Sequence, residues 1–143
     1  MANNQIPGMG FHHIALRVKD FERERKFLTE GLGLKPYATW RGGPNGEKEI
    51  LLLEIGNGGM IELFSLGSDE PECNNRFFHF AFHVADVDAA YKRAMEAGAE
   101  SVMEPAVRPV PSTPVALTLN CAFVRSPGGA EFEFIRVLDA KEL

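Results

Sequence analysis

Cysteine is scarce in this chain: Cys73 and Cys121 are the only two in 143 residues, and they show no paired ligand spacing. That excludes a cysteine-rich zinc module, and isolated thiols fit a reducing, cytoplasmic setting better than a disulfide-stapled secreted fold. A basic excess is missing as well. Lysine and arginine number 15 against 20 acidic residues, for a net charge of −5, whereas nucleic-acid binding favours basic faces. No apolar run is long enough to cross a bilayer, and residues 1–10 lack the hydrophobic centre of a secretory leader. These absences leave a chain the size of one domain, or of two small modules sharing a core.

What is present is an alternating stretch over residues 11–18. Its period of two reads as a strand with two chemically different faces. Phe11, His13, Ala15 and Arg17 share one face, and His12, Ile14, Leu16 and Val18 share the other. A second such stretch spans 78–84, with His79, Ala81 and His83 opposite Phe78, Phe80, Phe82 and Val84. Around these strands the same order of elements occurs twice. Asp20 caps a helix over 21–30, which Gly31 and Gly33 end. Strands follow at 34–40, where Pro36 marks an edge, at 49–55 and at 60–64, separated by glycine-rich turns. In the second half Asp86 caps a helix to residue 97, which Gly98 ends. A short strand at Val102 and Met103 then gives way to a loop holding Pro105, Pro109, Pro111 and Pro114. Strands over 116–125 and 131–137 flank the turn Ser126-Pro127-Gly128-Gly129.

The expected organisation is a tail (1–9), a βαβββ module (10–66), a linker (67–77), a second βαβββ module (78–137) and a short tail (138–143). His13 and His79 are 66 residues apart, as are Asp20 and Asp86, while Glu62 and Glu133 are 71 apart. The proline-rich loop accommodates the difference. The repeat is weak in identity and consistent in order.

Each module ends on a strand with a glutamate among large apolar residues, Ile61-Glu62-Leu63 and Phe132-Glu133-Phe134. A buried, unpaired carboxylate there would cost several kcal/mol. If the helices cover the aromatic faces, Glu62, Glu133, His13 and His79 instead face a concave surface. Two imidazoles and two carboxylates suit a divalent cation, with zinc or nickel first and cobalt, manganese or iron also accepted. His12 points to the helix side, and His83 lies further along the ligand face, at the pocket wall.

At these positions the chain resembles the vicinal oxygen chelate superfamily, and glyoxalase I-like members in particular, over nearly its whole length. The matching stretches are His13-Ile14-Ala15-Leu16-Arg17-Val18, Met60-Ile61-Glu62-Leu63, His79-Phe80-Ala81-Phe82 and residues 122–135. The resemblance implies an α+β fold, with paired βαβββ modules forming a cupped, barrel-like mixed sheet around one divalent metal. It implies His13, Glu62, His79 and Glu133 as metal ligands and Arg17 as an anchor for a substrate carboxylate; strand parity adds Met60, Phe64 and His83 on the same faces, beside the substrate. A homodimer is expected on the same ground, with a small molecule as partner and neither nucleic acid nor membrane. The activity implied is that of a metal-dependent lyase or isomerase. Glu133 or Glu62 would move a proton between adjacent carbons of a small α-oxygenated carbonyl compound. A methylmalonyl-coenzyme A-type epimerase and a bleomycin-resistance-type binding protein are the alternatives. Two departures stand out: Leu66 occupies a position where the family has asparagine, and 126–129 reads Ser-Pro-Gly-Gly rather than Asp-Pro-Asp-Gly.

Overall fold

The computed structural model describes residues 11, 13–56, 58–68, 79–111, 116–139 and 141. The first module runs β1 (His13–Arg17), α1 (Phe21–Lys26), β2 (Lys35–Gly42), β3 (Lys48–Glu54) and β4 (Met60–Phe64). The second runs β5 (Phe80–His83), α2 (Val87–Glu96), β6 (Glu100–Val110), β7 (Leu117–Arg125) and β8 (Glu131–Leu138). Each module forms its own four-stranded mixed sheet, ordered β1-β4-β3-β2 and β5-β8-β7-β6. Both βαβββ modules are thus as the sequence implies, and among the described residues the two sheets stay separate and close no barrel. The expected start of the second module, Phe78, the 67–77 linker from residue 69 onward, and His12 lie outside the described residues. Among the described residues no helix is long and apolar enough to cross a membrane.

The helix caps behave as their sequences require. Asp20 accepts a hydrogen bond from the Arg23 N–H and Asp86 from the Ala89 N–H, at 3.1 and 3.0 Å. Each satisfies one of the donors left unpaired in a first helical turn. α1 continues as a π-helical turn over Phe27–Gly31 before Gly33, at φ +82°, reverses the chain.

The proline-rich stretch after α2 departs from expectation. It is not a loop: β6 is an eleven-residue strand that runs through Pro105 and Pro109. An edge strand pairs on one side only, so a missing N–H can face away from the ladder. Irregularities between Ser101 and Met103 and between Met103 and Ala106 bring Pro105 past β7 without a broken pairing elsewhere.

The two sheets share one core, built on their helix-facing sides. Leu51, Leu53, Ile61 and Leu63 of the first sheet join Phe82, Ala122, Val124, Phe132 and Phe134 of the second, with Phe27, Leu28, Val87 and Ala94 from the helices. Phe132 is the hub. Its ring stacks at 6.3 Å on Phe27 of the other module and meets Phe80 and Phe82 edge-on at 4.7 and 5.3 Å. Arg93 of α2 adds a polar tie, donating from Nε to the Gly31 carbonyl at 2.6 Å. Replacing Phe132 with Ala is expected to cost about 3–5 kcal/mol in urea unfolding, because the ring is fully buried and both modules lean on it. A cost below about 1 kcal/mol would show that the modules do not depend on this shared contact.

Candidate functional site

The first and last strands of each module run parallel and in the same register. In β1–β4 the partners are His13↔Met60, Ala15↔Glu62 and Arg17↔Phe64. In β5–β8 they are Ala81↔Glu133 and His83↔Ile135. Ladder partners share a face, so each glutamate stands opposite the residue two places after a histidine. The result is two equivalent pairs: His13 Nε2 lies 2.8 Å from Glu62 Oε2, and His79 Nε2 lies 3.4 Å from Glu133 Oε2. The imidazoles are 37% and 26% exposed and the glutamates 15% and 12%, so the carboxylates sit in the sheet and the rings reach outward.

The registers extend these faces across each sheet. Arg17, Phe64, Ile50 and Trp40 form one continuous row over the first, with Leu52 opposite Glu62 in the next row. In the second sheet Phe123 stands opposite Glu133 and Cys121 opposite Ile135. The Phe123 ring meets His79 edge-on at 5.2 Å, which fixes the imidazole against an apolar wall. Burial pushes the Cys121 thiol above its ordinary value, and the neighbouring Glu133 charge pushes the same way.

The structure therefore brings the expected ligands together two by two. Met60, Arg17 and Phe64 share the face of His13 and Glu62, and His83 shares that of Glu133. Among the described residues no group of three or more His, Cys, Asp or Glu side chains converges within the chain. The physical reason is the shared core. It occupies the helix-facing side of both sheets, so each ligand face is turned away from it. Trp40, Ile50, Leu52, Phe123 and Cys121 were not singled out from sequence. The parity that placed Glu62 and Glu133 would have found them only once the partners of β2, β3 and β7 were known.

Paired βαβββ modules, each ending in a histidine–glutamate pair on the sheet face away from its helix, define the general class of fold. Residues 10–134 match the model of the Glyoxalase/Bleomycin resistance protein/Dioxygenase superfamily, and the chain belongs to that family. A curated relative from Vibrio parahaemolyticus, a probable lactoylglutathione lyase, is 32% identical over 130 residues, covering 87% of this chain and 88% of its own. Among solved structures, a glyoxalase I from Zea mays is 26% identical with a TM-score of 0.64, covering 89% of this chain and 44% of that one. The trypanothione-dependent glyoxalase I of Leishmania major is 23% identical with a TM-score of 0.67, covering 90% and 87%. At that identity it speaks for the fold alone.

Leu66 follows the first ligand face and is conformationally unusual. Its φ is +62° and it is 58% exposed. A bulky residue in the left-handed region costs about 1–2 kcal/mol, and asparagine tolerates that region better. Leu66→Asn is therefore expected to raise stability by up to about 1 kcal/mol in thermal or urea unfolding. A clear loss of stability would mean that the leucine side chain makes up the difference by packing.

Proposed function

We propose that the chain is a metal-dependent lyase or isomerase of glyoxalase I type. It would move a proton between adjacent carbons of a small α-oxygenated carbonyl compound. The observation that carries this reading is the repeated register, Ala15↔Glu62 and Ala81↔Glu133, which builds the same histidine–glutamate pair twice. Nitrogen and oxygen donors without a thiol in either pair fit a divalent ion such as zinc or nickel, with cobalt, manganese or iron also suited. His13, Glu62, His79 and Glu133 would hold it. Each pair supplies two donors, and the two faces diverge within one chain, so a second copy is the natural source of the missing pair. In that homodimer the first ligand face of one chain would meet the second ligand face of the other. The open edges β1, β2, β5 and β6 give a physical motive for such pairing.

When bound, the ion supplies Lewis-acid polarisation of the substrate's neighbouring oxygens. The remaining work falls to the chain. Arg17 lies at the end of β1, one row beyond Glu62 and on the same face. Its planar guanidinium suits a substrate carboxylate. Phe64 and Met60 flank Glu62 along β4 and form the apolar floor beneath the reacting carbons. Glu133 is the group we assign as base. It takes the C–H proton from one carbon and returns it to the next, so the reaction neither consumes nor releases a proton. Phe123 and Ile135 beside it keep water from intercepting that proton. His83 forms the wall on the second face. The hemithioacetal of a 2-oxoaldehyde with glutathione is the first substrate to test, given the name of the Vibrio parahaemolyticus relative.

Glu133→Gln is expected to retain the fold and part of the metal while losing at least about 10²-fold in turnover of that hemithioacetal. Proton exchange into product, followed by NMR with nickel- and zinc-loaded protein, is the measurement. Full activity in the variant would overturn the assignment of the base. Exchange with methylmalonyl-coenzyme A instead would turn the reading toward an epimerase.

A further inference from the structure

Glu24 stands in an unbroken charged run from Glu22 to Lys26, yet its side chain has no exposed surface. It belongs to α1 of the first module and reaches the β7–β8 turn of the second. There the Ser126 hydroxyl donates to Glu24 Oε2 at 2.6 Å, and the Gly128 N–H donates to Oε1 at 3.0 Å. Ser126 is itself held in place, its Oγ accepting from the Ala130 N–H at 3.1 Å. Glycine at 128 leaves the room that the Glu24 carboxylate occupies. A Cβ there would fall 2.5 Å from Glu24 Oε2 and 2.7 Å from Val18 Cγ1.

Both donors are neutral. A buried carboxylate is ordinarily paired with a cation, and one that is not takes up a proton instead. Among the described residues, Arg23 on the same helix is the charge that pulls the Glu24 carboxyl down, behind the Ser126 and Gly128 hydrogen bonds. Val18, whose Cγ1 borders the same space at Gly128 from the β1 side, is apolar. Among the described residues, the charged side chains of Arg23, Lys26, Glu30, Arg93 and Glu96 line an open cleft of ≈ 630 Å³ between the two helices beside Pro127. Arg93 is already committed to the Gly31 carbonyl. Protonation would leave the contacts intact. The Gly128 N–H can still donate to Oε1, and a serine hydroxyl accepts as well as it donates.

We propose that Glu24 and the 126–128 turn form a proton-linked latch between the two modules. The latch closes as Glu24 takes up a proton and loosens as that proton is lost. Desolvation raises the Glu24 carboxyl above the ordinary carboxylate range, against the lowering pull of the Ser126 and Gly128 hydrogen bonds and of Arg23. The docked state therefore binds the proton more tightly than the opened one. Docking is strongest below the ordinary carboxylate value and weakens as pH rises through the raised value of Glu24, by up to about tenfold per pH unit within that window. The latch is independent of the reaction proposed above, since it involves neither ligand face.

The test compares urea unfolding of the full chain and of Glu24→Gln from about pH 5 to about pH 8. Gln keeps the shape and cannot ionise. The wild type is expected to lose stability relative to the variant as pH rises, by up to about tenfold in the unfolding constant per unit. A difference that stays constant with pH would overturn the proposal. The second measurement needs no variant: side-chain carboxyl NMR of the wild type, reading the glutamate close in space to the Gly128 amide. Titration above the ordinary carboxylate range supports the latch, and titration at or below it overturns the latch even if the variant fails to fold.

Discussion

The structure depends on one constraint, the parallel pairing of the first and last strands of each module. Parallel neighbours cannot be joined by a tight turn, so the chain must leave the sheet and return. It does so through a helix and two antiparallel strands, and the helix covers one face of the sheet. The other face is left open, and the parallel register sets each histidine beside a glutamate on it. Core, open face and candidate ligands all follow from that pairing, repeated once.

The repeat also explains why the described residues hold two separate histidine–glutamate pairs rather than one converging group. Phe132 and Phe27 join the modules on their helix sides, with Leu28 and Val124 in the same core. Burying those sides together turns the ligand faces outward and leaves each pair with two protein donors. An enzyme of the type proposed here is then complete only when another ligand face is brought to each pair. The exposed edge strands, with Tyr37 and Trp40 on β2 and Val107 on β6, are where such a contact has room to form.

Much of this was legible in the sequence because the signals are local. Asp20 and Asp86 cap their helices, glycines end them, and period-two alternation separates Glu62 from Ile61 and Leu63. The equal spacing of His13–Asp20 and His79–Asp86 made the repeat visible, and the two pairs of strands confirm it with matching registers. What was hidden is what alternation does not encode. Parity says which residues share a face and not where that face points, so the divergence of the two pairs was unreadable. Pro105 and Pro109 read as loop because edge position is a property of the assembled sheet. The burial of Glu24 was hidden for a similar reason: its partners Ser126 and Gly128 lie 102 and 104 residues away.

Complementation tests the central claim most directly. A His13→Ala chain and a His79→Ala chain each spoil every site of their own homodimers, if one site draws on both ligand faces. Mixed dimers of the two place both defects in one site and leave the other intact. Random reassociation should therefore restore about a quarter of the wild-type sites, seen as tightly bound divalent metal and as recovered hemithioacetal turnover. Metal binding and turnover that stay absent on mixing, with heterodimers shown to form, would contradict a site completed by a second copy.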